Sequence, residues 1–412
     1  MGWDVIVVGG GASGLMAAGR AAECQARVLL LEKMDRVGIK LSLTGKGRCN
    51  LTNGGDLSTF IESYRHNGRF LYNVFARFFN EDLIAFFHSR GVPTVEERGR
   101  RIFPRSDRAE DVVRALRDFA RSKGVTIQVR SAVTEIRVKE GRAIGVKTAE
   151  GFYESRCVIL ATGGASYPQT GSTGDGYSLA ARLGHSIIPP RPALVPLETD
   201  EPFIETLQGL SLKNVRAALW SGDRKIEEEF GEMLFTHFGV SGPIILTLSG
   251  ALSDEASKEK KSLSIDLKPA LTLEEVERRL LREFQGQPRR HLSNLMMRLL
   301  PKRLIPVFLE ATGVSPSSKA GGVRAEQRRR LAQFLKDWRL GLRGPRPLSE
   351  AIVTAGGVCV KEIHPRTLES RKVKGLFFCG EVIDVDGKTG GYNLQAAFST
   401  GWVAGESAAQ GS

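Results

Sequence analysis

Three glycines and one glutamate carry the first chemistry in this chain. In VVGGGASG, residues 7–14, Gly9, Gly11 and Gly14 fit the pattern G-x-G-x-x-G, and Glu32 follows eighteen residues after the last of them. The pattern is informative only between a strand and a helix. Here an apolar, β-branched run at 4–8 precedes it, an alanine-rich run at 13–24 follows, and a second apolar run occupies 26–31. In that setting Gly9 permits the tight turn, Gly11 lets a pyrophosphate approach the backbone, and Gly14 allows close helix packing. Free N–H groups at the helix start meet the phosphate charge, and a carboxylate at position 32 is placed to accept hydrogen bonds from an adenosine ribose. These residues predict a dinucleotide site.

Two later stretches decide which dinucleotide. A nicotinamide enzyme needs little beyond this unit and a substrate domain, whereas an FAD protein must also hold an isoalloxazine ring far from the adenosine. CVILATGGAS, residues 157–166, ends a strand in a small-residue turn where Thr162 and Gly163 let backbone come close to a cofactor. GLFFCGEVIDVDGKTGGYNLQAAFSTG, residues 375–401, presents a strand, Glu381, a glycine turn and a helix from about Tyr392. Such a helix start places N–H groups where negative charge gathers on a reduced flavin, so the reading is FAD. Gly387-Lys388-Thr389 resembles the end of a phosphate loop, but that loop needs a glycine five positions earlier, where the chain has Val382.

Acid and base candidates are few. His237, in FTHFGVSGP at 235–243, can titrate near neutrality, and Tyr167, beside the ATGG turn, can donate a proton. A packed histidine and a wall tyrosine are the bland alternatives. Only one dinucleotide fingerprint is present, and GSTGDG at 171–176 does not supply a second. NAD(P)H therefore enters as a transient electron donor docking by the middle domain, or the electrons come from elsewhere.

GKGRCNLTN, residues 45–53, reads three ways: a phosphate cradle, a thiol nucleophile at Cys49, or a glycosylation sequon at Asn50. The apolar run at 5–8 is too short for a signal-peptide core or a membrane span and has no basic leader. The expectation is a cytoplasmic protein, in which the sequon is chance. Five cysteines, an odd set without a C-x-x-C pair, argue against a disulfide framework and a zinc knuckle, and no metal site is expected. Cys49 has no partner base or second cysteine nearby, so the thiol reading falls too. What survives is a loop running beside the cofactor, with Arg48 and Asn50 as polar contacts and Cys49 packed beneath.

The elements that must position these residues suit an α/β chain of 412 residues with 41% hydrophobic and 25% charged content. Residues 69–90 carry aromatics at helical spacing and 110–122 form a second helix, both read as packing. Strands are expected at 126–129, 133–138, 143–148 and 157–161, and four prolines at 187–198 should interrupt any regular element and mark a domain crossing. Beyond it, strands at 210–220, 224–235 and 262–267 flank a helix at 243–252. A capping start at Thr272-Leu273-Glu274-Glu275 then opens a helical segment, so the middle of the chain reads β first, then α. The expected division is an FAD-binding domain at 1–193, an inserted β-rich domain at 194–270, a basic helical segment at 271–347, and a return to the FAD domain at 348–412.

The net charge of +13 is concentrated: residues 273–346 hold 17 Lys and Arg against 7 Asp and Glu. Without aromatic interleaving this reads as a solvated helical face rather than a nucleic-acid platform.

Taken in order, GxGxxG with Glu32, the ATGG turn, GKGRCNLTN, FTHFGVSGP and GEVIDVDGKTGGYNLQAAFSTG resemble the HI0933/YhiN-like family of flavoproteins over nearly the whole chain. The resemblance implies a fold related to fumarate reductase and glutathione reductase types, with non-covalent FAD and an insert that is part β-barrel-like and part helical. It implies that Gly9, Gly11, Ser13 and Gly14 hold the pyrophosphate and Glu32 the ribose. It further implies that Lys33, Lys40, Thr44 and Asn50 line the cofactor's path and that Val133 meets the adenine. Gly380 and Glu381 would meet the ribitol, and Gly391, Tyr392, Asn393 and Leu394 the flavin ring. Lys46 stands where the family pattern has glycine. The activities assigned in the family, bile-acid C=C reduction and aminoacetone oxidation, leave two readings here. One is an FAD-dependent oxidoreductase of a small or steroid-like molecule; the other is a flavin-containing RNA-modification accessory protein using 273–346 on nucleic acid.

Overall fold

The computed structural model describes residues 2–254 and 259–411. Its first strand, Trp3–Val8, is apolar and β-branched along its last four positions, all of them buried. Such a run suits the centre of a parallel sheet covered on both faces. It pairs in parallel with Val28–Leu31 on one side and with the end of Gly151–Leu160 on the other. Thr126–Gln128 continues the parallel sheet beyond Val28–Leu31, and Leu376–Phe378 pairs in parallel beside Gly151–Leu160. The beginning of Gly151–Leu160 instead joins an antiparallel ladder with Arg142–Thr148 and Glu135–Lys139, completing a seven-stranded sheet. The chain thus returns from its far end to place a strand beside one formed two hundred residues earlier.

The first helix, Ala12–Glu23, and the last, Tyr392–Gln410, pack along each other. Small residues make this possible. A Cβ on Gly401 would stand 2.4 Å from the Ser13 carbonyl oxygen, and one on Gly405 2.3 Å from that of Ala17. Two glycines one turn apart on one helix therefore receive the backbone of the other.

The aromatic run at 69–90 forms three short pieces, Gly68–Leu71, Tyr72–Phe75 and Asn80–His88, rather than one helix. The backbone is extended at Phe79, whose N–H donates to the Asp82 carboxylate at 2.8 Å and so starts a new helix. Phe75, Phe78, Phe86 and Phe87 are nevertheless buried in the core of this unit. Ile187–Ala193 is a strand despite its prolines, paired antiparallel with Val353–Val358 and bulged between Ile188 and Arg191. A two-stranded ribbon asks for donors along one edge only, so proline is tolerated there.

The chain divides into two compact units, one from both ends up to Ala193 and from Leu348, the other Leu194–Pro347. The second unit is a closed antiparallel barrel in the order Leu197–Thr199, Gly239–Ser241, Arg224–Phe235, Ser211–Ser221, Lys261–Asp266, Trp338–Pro345. Its order is β, α, β rather than β then α, because the strand Trp338–Pro345 follows the helices and closes the barrel. Helices Leu273–Gly286, Leu304–Ala311 and Ala325–Lys336 share one apolar core with the barrel through Phe284, Phe308, Leu331 and Trp338. The Thr272–Glu275 capping box is formed in both directions, at 3.2 and 2.8 Å. Among the described residues no helix is long and apolar enough to cross a membrane.

Candidate functional site

The turn after the first strand is shaped by what its glycines exclude. Gly9 has φ 104, and a Cβ there would stand 2.5 Å from the Ala161 carbonyl oxygen. On Gly14 a Cβ would stand 1.9 Å from the Gly9 carbonyl oxygen, so both glycines are required by the close packing of turn, helix and strand. Gly11 differs: a Cβ there meets nothing within 4 Å, and its bare Cα borders open space. Beside that space the N–H groups of Ala12, Ser13 and Gly14 find no acceptor among the described residues; Leu15 is the first to bond, to the Gly11 carbonyl at 3.0 Å. An opening bordered by unmatched donors at a twelve-residue helix N-terminus fits a pyrophosphate.

Glu32 lies at the end of Val28–Leu31, and its two carboxylate oxygens accept from Gly10 N–H at 2.7 Å and Met34 N–H at 2.8 Å. The carboxylate is thereby held beside the glycine turn, and each oxygen retains a second lone pair. Ser131 N–H donates to the Glu32 carbonyl at 2.9 Å, which brings the segment containing Val133, half-buried, to the same edge. The Lys33 ammonium is held by Asp175 and Thr173. In the ATGG turn, Gly163 is left-handed at φ 75, and the Thr162 hydroxyl is buried with no partner among the described residues.

The loop at 44–50 is unusually strained. Gly45, Lys46, Gly47 and Cys49 have φ of 58, 60, 83 and 63. Glycine takes this conformation freely; a lysine held there costs on the order of 1 kcal/mol. Thr44 donates its hydroxyl to the Leu41 carbonyl at 2.7 Å. Arg48 is an anchor rather than an open polar contact: its guanidinium pairs with Glu97 and Asp107 and lies 4.2 Å from the centre of the Phe103 ring. Cys49 is fully buried, and burial pushes its thiol up to about 12, so it is not a thiolate near neutral pH. With its amide assigned so that oxygen faces donors and nitrogen faces acceptors, Asn50 accepts from Gly391 N–H at 3.0 Å while donating to the Thr52 and Ile102 carbonyls at 3.0 and 3.2 Å, which fixes the loop to the start of the last helix.

Glu381 is the centre of a network assembled from four segments. One oxygen accepts from the Lys40 ammonium at 2.7 Å, the other from Thr354 N–H at 2.7 Å and the Ser166 hydroxyl at 3.2 Å. Lys40 also donates to Ser166 at 2.7 Å. Gly380 is left-handed at φ 76, and a Cβ there would stand 2.3 Å from the Ser13 hydroxyl, so the returning strand ends against the first helix. Gly391, φ 101, leaves no room for a side chain, since its Cβ would stand 2.3 Å from the Thr52 carbonyl oxygen. Asn393 braces the preceding turn, accepting from Gly387 N–H and donating to its carbonyl, both at 2.8 Å. The N–H groups of Tyr392, Asn393 and Leu394 meet no acceptor among the described residues.

Neither acid–base candidate joins this network. Tyr167 is half-buried with a left-handed backbone, φ 52, and its carbonyl accepts from Thr170 N–H at 2.9 Å. His237 belongs to the barrel unit, exposed in the turn between Arg224–Phe235 and Gly239–Ser241, its ring edge-on to Phe238. Sequence reasoning passed over Thr354, Ser166 and Asp384. Asp384 lies in the loop before the last helix, where burial raises its carboxyl above the usual range and Asn67 donates to it at 2.9 Å. No motif flags Thr354, whose role comes from its backbone N–H. Among the described residues no group of three or more His, Cys, Asp or Glu is gathered to hold a metal.

The family model described as HI0933-like protein Rossmann domain matches residues 3–407. The chain is 34% identical over 409 residues to the 3-dehydro-bile acid delta(4,6)-reductase of Clostridium scindens, covering 98% of each. To the ribosomal RNA dihydrouridine synthase of Haemophilus influenzae it is 32% identical over 405 residues, covering 97% of this chain and 96% of that one. A solved structure of 3-ketosteroid delta1-dehydrogenase from Sterolibacterium denitrificans with 1,4-androstadiene-3,17-dione superposes with a TM-score of 0.54 at 13% identity, covering 100% of both chains. That last likeness is one of fold.

Proposed function

The chain belongs to the HI0933-like family of Rossmann FAD-binding proteins, and on that premise we propose that it is an FAD-dependent reductase of a carbon–carbon double bond conjugated to a carbonyl. The observation that carries the FAD part of this reading is the pair of helix starts on one unit, residues 12–14 and 392–394, each with unmatched N–H groups, held together by Gly401 and Gly405. One set suits a pyrophosphate and the other the pyrimidine edge of a flavin. In this reading Gly11, Ala12, Ser13 and Gly14 hold the pyrophosphate, Glu32 the ribose, Gly380 and Glu381 the ribitol, and Gly391 to Leu394 the ring. Thr162 and Gly163 border the same path.

Two relatives support the reaction class. A reductase named for the 4 and 6 double bonds of a 3-oxo bile acid and a synthase named for dihydrouridine both saturate a double bond conjugated to a carbonyl. When bound, non-covalent FAD supplies the hydride through its N5, with NAD(P)H as the transient donor. The chain supplies the rest: a surface for the substrate carbonyl and a proton for the carbon next to it. Tyr167, on the same unit as the cofactor path, is the proposed proton group.

The purified protein should be yellow, release its flavin on denaturation, and bleach anaerobically with NADH or NADPH. Anaerobic addition of a 4-ene-3-ketosteroid or a uridine-containing RNA should then restore the yellow absorbance of the oxidised flavin for the accepted class. A colourless protein that takes up no FAD sinks the proposal.

A second reading of the substrate, uracil within RNA, is favoured by the barrel unit's helices. Arg282 and Arg330 are exposed on them and Arg289 in the turn after the first, and none of the three faces a carboxylate among the described residues. Arg328, by contrast, is committed to Glu277 at 3.3 Å.

A further inference from the structure

Between Glu32 and Asn50 the chain carries five cations, Lys33, Arg36, Lys40, Lys46 and Arg48. Four are held by carboxylates: Lys33 by Asp175, Arg36 by Glu110, Lys40 by Glu381, and Arg48 by Glu97 and Asp107. Lys46 is exposed and has no hydrogen-bond acceptor, carboxylate or ring as a partner among the described residues. Its backbone, φ 60 and ψ 41, is the conformation that its neighbour Gly45 adopts without strain. Such backbone outliers cluster at ligand sites, and a lysine kept in one with no partner inside the protein points to a partner outside.

The position is well mounted for that task. Cys49 N–H donates to the Thr44 carbonyl at 2.9 Å and Arg48 N–H to the Gly45 carbonyl at 3.3 Å, closing the loop on both sides of Lys46. Four residues on, Asn50 grips Gly391 N–H at 3.0 Å, the start of the last helix. Next to Lys46, a Cβ on Gly47 would meet nothing within 4 Å, so the space beside the lysine is open. A compact ammonium with three donors on a flexible stem, presented over bare backbone, suits a phosphate oxygen approached as a point charge.

We propose that Lys46 binds a phosphate group at the entrance to the flavin site, an assignment that rests on the reading of this unit as an FAD site. Two sources bring that chemistry: the 2′-phosphate of NADPH and the backbone of a polynucleotide substrate. Lys46→Gly removes the ammonium and relieves the backbone, so the variant should fold with a melting temperature at or above that of the wild type. Three quantities are read on wild type, Lys46→Gly and Lys46→Arg. They are flavin content, the concentration dependence of anaerobic bleaching by NADPH and by NADH, and affinity for a short single-stranded RNA by fluorescence anisotropy. In Lys46→Gly, with FAD retained, a loss of about fivefold or more is expected in one arm, with Lys46→Arg retaining most of it. Loss for NADPH but not NADH assigns the phosphate to the hydride donor, and loss for RNA assigns it to the substrate. Affinities for NADPH, NADH and RNA all within twofold of wild type overturn the proposal. A wild type without flavin would sink the FAD reading instead, and the RNA arm would still test Lys46.

Discussion

Glu32 does two jobs that one substitution can separate. Its carboxylate holds Gly10 and Met34 N–H, and its remaining lone pairs are left for the proposed ribose. Glu32→Ala should lower FAD affinity roughly tenfold or more and also destabilise the turn by about 1–3 kcal/mol, since two part-buried donors lose a charged acceptor. Glu32→Gln keeps one acceptor for the turn and should recover more stability than affinity. Flavin content after gel filtration and thermal melts check both, and unchanged flavin content in Glu32→Ala contradicts the ribose assignment. Residues of this kind were legible because glycine spacing and a carboxylate at a strand end follow from local backbone geometry. The Lys40–Glu381 pair, 341 positions apart, was not, because nothing local to either residue encodes the other. Cys49 was legible as a small packed residue, whereas the left-handed backbone at Cys49 and Lys46 leaves no mark in residue type.

At the scale of elements, the glycines of the last helix set how closely it approaches the first. Gly401→Val should push the helices apart, costing about 1–3 kcal/mol as an overpacked site, and should lower flavin content because two donor-bearing helix starts lose their relation. Gly286→Ala, at the end of a helix where a Cβ meets nothing within 4 Å, is the matched control and should leave stability unchanged or slightly raised. Equal melting temperatures for Gly401→Val and wild type would remove the packing argument. The same scale shows where sequence reading stops. Hydrophobic period and capping located the strand–turn–helix start and the helix after Thr272, since both are local signals. The barrel-closing strand Trp338–Pro345 carries arginine, glycine and proline between its apolar residues, and its partners Leu197–Thr199 and Lys261–Asp266 lie far back in the chain. The helical reading of 69–90 failed for a related reason: a short side chain, Asp82, offered the Phe79 backbone a better partner than another turn of helix.

For the molecule as a whole, the net charge of +13 decides how the RNA reading is tested. If the exposed arginines of the barrel unit bind RNA, replacing Arg282, Arg289 and Arg330 by Glu should weaken binding and flatten its salt dependence by about two to three units of log–log slope. Flavin content should not change. Salt-independent or absent RNA binding by the wild type would leave a small carbonyl compound as the substrate. The arrangement of the chain has a further consequence, in the order of its manufacture. One unit is made from two stretches far apart in the chain, and its strand Leu376–Phe378 and helix Tyr392–Gln410 leave the ribosome after the whole barrel unit. At about 5–20 residues per second, the sheet that ends at Leu160 waits roughly 10 to 50 seconds with its edge at that strand uncovered. The barrel unit, contiguous in the chain, is complete before that wait ends. FAD thus meets a finished cradle only after the helix Tyr392–Gln410 has emerged, and a nascent chain stalled before position 376 should display a folded barrel but retain no flavin.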